Sequence, residues 1–396
     1  MWKNETVDKS RHTCYHRAMS KSREHLPKAI DLFAGAGGLS LGAARAGLRV
    51  AAAVEWDKHA MATHTKNFPE SKHICQDVGA MTGDSLLQLA GLRVGELDAL
   101  IGGPPCQGFS TMGLRDVADD RNNLFAHFFR LVRESRPGFF IAENVPGILH
   151  EQYDDVRSKA LELVPKDYVM FDPIRVEANL YGAATSRTRI FFIGYMPSRV
   201  NGSLTAASFA PPPDVEKATV GRALHGLPTR IDARWQSEPL SWRTAATCQG
   251  DYLSTRISGL VPDGVGDKSS LERFFNKSEV SGFLGTRHSE EIRKRYRALK
   301  YGETDATSKA RKLDPDGYCP TIRAGTGSDK GSHQAVRPVH FDSPRVITPR
   351  EAARLQGFPD WFVFHPTKWH SFRQIGNSVS PIVAERILRP LIGALS

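Results

Sequence analysis

The stretch AIDLFAGAGGLSLGAARA, Ala29 to Ala46, decides the fold class. Ala29 to Phe33 reads as a buried strand, and the glycines after it form a tight turn. Leu39 to Ala46 reads as a helix, and Val50 to Val54 as a second strand. Strand, glycine turn, helix and strand in that order make a βαβ unit, the building block of a parallel sheet. The pattern continues outward with a helix at His59 to Asn67 and a strand at Leu97 to Ile101. A helix at Leu124 to Ser135 and strands at Phe139 to Ala142 and Ile190 to Gly194 follow. In the longer helix Leu124, Phe128, Leu131 and Val132 fall on one face at helical spacing. The expected class is α/β, with a Rossmann-like, mostly parallel sheet.

Open sheets of this kind bind ligands at the carboxyl ends of their strands, so the residues there carry the functional reading. The first turn departs from the dinucleotide fingerprint, because Ser40 stands at its third glycine position. Glu55 follows the second strand about 20 residues after the glycine turn, where a carboxylate suits ribose hydroxyls. Trp56 is placed to lie against an adenine ring, and Asp77 to accept from an exocyclic amine. These groups suit S-adenosylmethionine as well as NAD.

GGPPCQGFS, Gly102 to Ser110, holds Cys106 in a proline-stiffened loop after a strand. The prolines fix φ and the glycines admit close approach, which suits a directed thiol nucleophile. A small buried hydrophobe is the competing reading of a lone cysteine. Glu143 and Asn144 follow the next strand, where a carboxyl is placed to donate a proton. Arg187 and Arg189, two apart at a strand entrance, point the same way.

Composition narrows the class further. A chain of 396 residues is too long for one ordinary core and predicts two domains. Five cysteines, widely spaced and without a CxxC pair, predict a reducing cytoplasm, no disulfides and no metal. His12, Cys14 and His16 alternate in a polar N-terminal tail that reads as frayed. No apolar run is long enough to span a bilayer and no signal-peptide pattern opens the chain. The net charge of +10 favours a polyanionic partner.

In order and spacing these segments resemble the DNA (cytosine-5) methyltransferase family, including bacterial restriction–modification enzymes. The matching pieces are DLFAGAGGLSLG (Asp31 to Gly42), Glu55–Trp56, Gln76 to Val78, GGPPCQGFS, Glu143 to Val145 and Ser186 to Arg189. Two more follow, RVITPREAARLQGFP (Arg345 to Pro359) and QIGNSVSP (Gln374 to Pro381).

The resemblance implies S-adenosyl-L-methionine as cofactor and duplex DNA as substrate, with the target cytosine flipped out of the stack. Cys106, Glu143, Arg187 and Arg189 would be catalytic, through a covalent Cys106–C6 adduct. Phe33, Gly35, Gly38, Glu55, Trp56, Asp77, Val78, Pro105 and Leu124 would hold the cofactor, completed by Asn377, Ser378 and Val379 from near the C-terminus. The loop Gln107 to Asn123 would close over the base. Family members often carry Gln where this chain has Thr185, which puts the orientation around the arginines in question.

The layout expected from the resemblance is an N-terminal extension (1–27), a catalytic domain (28–196) and a target-recognition domain (197–344). A C-terminal segment (345–396) would return to the catalytic domain from about residue 370. Arg323, in PTIRAGTGSDKGSH, is a candidate for DNA approach, and Arg287 to Lys300 reads as a basic helix. The expected enzyme is monomeric, cytoplasmic and associated with the nucleoid, with a cognate restriction endonuclease as a possible partner. Rival readings are a tRNA methyltransferase of the same fold, a catalytically silent DNA-binding relative and a nicotinamide oxidoreductase.

Overall fold

The computed structural model describes residues 26–105, 123–202, 204–246, 250–325 and 336–395. Cys106 and the loop after it lie outside the described residues, as does the N-terminal tail with His12, Cys14 and His16. The first part builds β1 (Lys28–Leu32), α1 (Gly38–Ala46), β2 (Arg49–Val54), α2 (Lys58–Asn67), β3 (Lys72–Ile74), α3 (Gly83–Ala90) and β4 (Ala99–Gly102). It continues through α4 (Asn123–Ser135), β5 (Phe139–Asn144), α5 (Asp154–Leu161), β6 (Val169–Met170), β7 (Ile174–Glu177) and β8 (Thr188–Tyr195). These eight strands form one sheet in the order β3-β2-β1-β4-β5-β8-β6, with β7 also on β8. β1 to β5 pair in parallel; β6, β7 and β8 join antiparallel. The fold is the α/β class with a mostly parallel sheet.

The parallel strands are mostly apolar because helices cover both faces, although β1 buries Asp31 and β5 ends in Glu143 and Asn144. Phe125, Phe128, Phe129 and Val132 of α4 pack against Leu100 and Phe140 on one face. On the other, Leu39 and Ala43 of α1 meet Ile101, Ile141 and Ile193. Several strand ends differ from the sequence reading: β8, expected over Ile190 to Gly194, runs from Thr188 to Tyr195 and so includes Arg189. β5 runs on to Asn144, because β8 offers ladder partners to Glu143 (Phe191) and Asn144 (Ile190). The strand expected from Leu97 starts at Ala99, with Leu97 buried ahead of it.

The later part is mostly short helices and loops: α6 (Val220–Leu224), β9 (Arg243–Thr244), α7 (Tyr252–Ser258), α8 (Lys268–Lys277), β10 (Glu279–Val280) and α9 (Glu290–Ala298). The basic helix is thus shorter than Arg287 to Lys300, starting where Ser289 caps Ile292 N–H. The chain ends with α10 (Pro349–Leu355), α11 (Lys368–Asn377) and α12 (Pro381–Gly393). α10 shares a core with Val220, Leu224, Phe274 and Phe283. α12 lies on α1, and Gly42 makes that approach possible: a Cβ there would sit 2.2 Å from the Ala384 Cβ. No helix among the described residues is long and apolar enough to cross a membrane.

Candidate active site

The strand order reverses at β1, between β2 and β4, and that reversal opens a crevice beyond the carboxyl ends of the strands. Leu32 pairs with Gly102 and Gly102 with Ala142, so the first glycine turn, the GGPP turn and Glu143 all reach the same edge. β8 runs the other way, which brings its first residues, Thr188 and Arg189, to that edge too.

The first turn is built for close approach. Phe33 and Gly35 both adopt φ +57°, a left-handed conformation that costs a phenylalanine energy and a glycine little. The Gly35 N–H donates to Glu55 Oε2 at 2.9 Å, and the Asp57 N–H donates to Glu55 Oε1 at 2.7 Å. Burial pushes the Glu55 carboxyl pKa up, and these two donors pull it back. Next to it Trp56 is 70% exposed, an indole with its apolar face uncovered. Gly38 meets the C-terminal segment: a Cβ there would lie 2.3 Å from the Val379 carbonyl oxygen and 3.0 Å from Ser378 Cβ. Ser378 Oγ donates to the Gln374 carbonyl at 2.7 Å, while Asn377 is exposed.

The third wall is the turn at Asp77. Its Oδ1 accepts from the Gly79 N–H at 2.8 Å, and Val78 is buried in the cluster against which Phe33 packs. Arg130 of α4 pins the turn by donating to the Val78 carbonyl at 3.2 Å, and is itself held by Glu134. Leu124, half-buried, stands at the start of that helix, and Pro105 is half-buried at the end of the GGPP turn.

On the chemistry side, Glu143 is 8% exposed and its Oε1 lies 2.6 Å from Arg189 Nε. A Cβ on Gly103 would come within 3.3 Å of Glu143 Oε2, so the turn that leads to Cys106 runs directly past this carboxyl. Asn144 Nδ2 reaches the Pro104 carbonyl at 3.4 Å. Arg187 is buried, with Nη1 3.4 Å from the Ile322 carbonyl. Both arginines line one small cavity with Val176, Ala178, Phe191 and Val379, but Arg189 is the one that reaches Glu143. Thr185 ties the arginine segment to the chain beneath it, its hydroxyl donating to the Cys319 carbonyl at 3.0 Å.

Sequence reading missed a buried polar chain under the first turn. Ser40 Oγ donates to Asp31 Oδ2 at 2.5 Å and lies 3.0 Å from His64 Nε2. His64 Nδ1 is in turn 3.0 Å from His73 Nε2. With the Ser40 hydrogen on Asp31, His64 Nε2 is the donor to Ser40 and His64 Nδ1 the acceptor from His73. Desolvation, opposed by the Ser40 hydrogen bond, lifts the Asp31 pKa to about 7, and burial pushes that of His64 well down. The clue was Ser40, a hydroxyl where the fingerprint has glycine.

Arg323 is exposed, and its backbone is seated on α11: a Cβ on Gly376 would come within 2.7 Å of the Arg323 carbonyl carbon. The arginines of the RVITPREAARLQGFP stretch behave differently. Arg350 and Arg354 are fully buried and bonded to protein groups.

The sequence profile of the C-5 cytosine-specific DNA methylases matches residues 27–393. Among curated proteins, the Type II methyltransferase M.XorII of Xanthomonas oryzae pv. oryzae is 38% identical over 93% of this chain and 85% of its own length. A solved structure from E. coli, assigned as a DNA modification methyltransferase encoded within a prophage, is 49% identical. It superposes with a TM-score of 0.82 over 93% of this chain and 99% of that one. The S. pombe Dnmt2 methyltransferase, at 15% identity and a TM-score of 0.59, shares the fold.

Proposed function

The chain belongs to the C-5 cytosine-specific DNA methylase family, as a DNA (cytosine-5) methyltransferase of the kind found in Type II restriction–modification, and from that premise we propose its reaction. It transfers a methyl group from S-adenosyl-L-methionine to C5 of one flipped cytosine within a short duplex sequence. The observation that carries this reading is the Arg189–Glu143 pair against Gly103, three residues before Cys106.

Cys106 attacks C6 as a thiolate, forming a C–S bond and pushing the electron pair of the 5,6 double bond onto C5. Glu143 holds the N3 edge and supplies the proton that this shift demands. Arg189 fixes the carboxyl of Glu143, and Arg187 braces the same wall through the Ile322 carbonyl. C5 would take the methyl from the sulfonium, which leaves as the neutral thioether S-adenosylhomocysteine. A water-borne base removes the C5 proton as β-elimination breaks the C–S bond, and Glu143 takes back the N3 proton, which restores the aromatic ring and Cys106.

The first turn fits a nucleoside cofactor. Glu55, pinned by the Gly35 N–H, is aimed at ribose hydroxyls, and the uncovered Trp56 supplies a stacking face. Asp77 and Val78 border the base, with Phe33, Pro105 and Leu124 beside them. Asn377, Ser378 and Val379 close the pocket over Gly38. S-adenosylmethionine brings a sulfonium-bound methyl, which is electrophilic without a metal. Arg323 and the basic α9 face DNA from the region 197–344, whose role is target recognition; the protein acts as a monomer in the cytoplasm on chromosomal DNA.

Bisulfite sequencing of DNA from cells expressing the wild type beside Cys106→Ala tests the proposal. Cytosines protected at one position of one short motif, and only in the wild type, are the expected result. Absence of protection in both refutes a DNA substrate, and transfer RNA becomes the substrate to assay.

A further inference from the structure

Away from the crevice, three histidines distant in sequence come together where α2 meets α11. His59 lies in the first turn of α2, His370 in the first turn of α11, and His365 just ahead of α11. His59 Nδ1 is 3.1 Å from His365 Nε2, and one potential ligand nitrogen from each of the three rings lies within 4.8 Å of the other two. The His59 and His370 ring centroids are 3.9 Å apart, and those of His365 and His370 are 4.3 Å apart. We propose that His59, His365 and His370 form a binding site for a late first-row metal dication, of the zinc and nickel class.

Geometry favours it. A tetrahedral ion with metal–nitrogen bonds of about 2.0–2.1 Å holds its ligand nitrogens roughly 3.3 Å apart, so small ring rotations complete the set. The backbone under two of the rings is already fixed by one buried side chain. Gln374 donates from Nε2 to the His59 carbonyl at 3.0 Å and accepts at Oε1 from the His365 N–H at 3.1 Å. Thr63 Oγ1 steadies the same Oε1 at 3.2 Å.

Ligand chemistry agrees. The charged groups facing the cluster are Asp57, Lys66 and Arg373. Asp57 Oδ1 caps α2 and its Oδ2 pairs with Arg373 at 3.1 Å, which leaves imidazole nitrogen as the donor set and water for the fourth position. His365 Nδ1 accepts from the Thr367 N–H at 3.1 Å and lies 3.0 Å from Thr367 Oγ1, so taking the metal on Nε2, with the ring proton moved to Nδ1, requires the ring to turn away from that N–H. Cysteine spacing gave no hint of a metal, because these ligands are assembled by the fold from positions about 300 residues apart.

The ion would clip the helix that follows the Glu55–Trp56 turn to the helix that ends in Asn377, and so stabilise the folded chain by mass action. The test uses full-length protein stripped with chelator and titrated with nickel chloride in a calorimeter. The expected result is saturable binding weakened at least tenfold in His370→Ala and lost in the His365→Ala/His370→Ala double variant. The melting temperature should rise with nickel in the wild type and stay flat in the double variant, whose metal-free melting temperature shows that it folds. Binding and stabilisation that persist in the double variant would assign the metal to another part of the chain and overturn the proposal, as would a wild type that takes up none.

Discussion

Two arginine–carboxylate clusters in this molecule use the same chemistry to opposite ends. Around α10, Arg354 grips Asp360 with two bonds of 2.8 and 2.6 Å and commits a third nitrogen to the His225 and Ala223 carbonyls. Arg350 binds the Ser281, Pro359 and Phe362 carbonyls, and Arg345 forks onto Glu351, which also closes the capping box with Thr348. These charges are saturated by protein and tie α10 to residues 220–285. At the sheet edge, the Arg189–Glu143 pair, itself largely buried, instead flanks a glycine turn and a small cavity lined by both Arg187 and Arg189. A charge enclosed by protein partners is structural, and one that stops at a crevice is free to meet a ligand.

The largest effect separating the two should come from Arg354→Ala. It strands Asp360 in the core and should cost about 3–5 kcal/mol, read as a lower denaturant midpoint. A loss well under 1 kcal/mol would erase the distinction. Glu143→Gln should do the reverse: turnover falls by roughly 10²–10⁴-fold, while the melting temperature moves far less than for Arg354→Ala. Steady-state methylation beside thermal unfolding checks both arms.

Asp31 sharpens the comparison as a buried carboxyl with no cation paired to it among the described residues. Its folded pKa of about 7 lies above the unfolded value of 3.8, so the folded state keeps the proton longer. Its contribution is intact below pH 4 and is lost as pH rises towards 7. Relative to Asp31→Asn, the wild type should therefore lose stability across that window, by at most about 1.4 kcal/mol per pH unit. Burial of neutral His64 acts in the opposite direction, so the comparison with the variant is the informative measurement. Parallel pH profiles for the two proteins would contradict the assignment. The smallest effect belongs to Trp56→Ala, which should weaken S-adenosylmethionine binding by about 0.5–1.5 kcal/mol in calorimetry and leave stability unchanged.

How much of this could be read in the sequence follows from the range of the interactions. The βαβ start was legible because its strand, turn and helix are set by neighbours: apolar runs, glycines at positive φ, and a period of 3.6 in α4. Glu55 was legible for the same reason, as a carboxylate at a fixed distance from a glycine turn. β3, three residues long, and α11 were not. In α11 Ser371, Gln374 and Gly376 are buried, which no amphipathic pattern announces. Gln374 is satisfied by His59 and Thr63, and Gly376 leaves room for the backbone of Ala324, which a Cβ would meet at 2.6 Å. α8 buries Leu271 and Phe274 beside a serine whose hydroxyl bonds the Trp361 carbonyl. Arg187 and Arg189 read as an equivalent pair, yet one reaches Glu143 and the other the Ile322 carbonyl, a division made by chain more than 130 residues away.

The contact of Gly42 with Ala384 also has a meaning in time. A ribosome makes α1 early and α12 about 340 residues later, an interval of roughly 20–70 s at ordinary elongation rates. Throughout that interval the small-residue face of α1 has no cover, and Val379 is not yet there to meet Gly38. The nascent chain carries its glycine turn, its acidic strand end and its GGPP loop as an unfinished pocket. The pocket stays open on that side until the segment from Val379 through α12 has emerged and packed on α1.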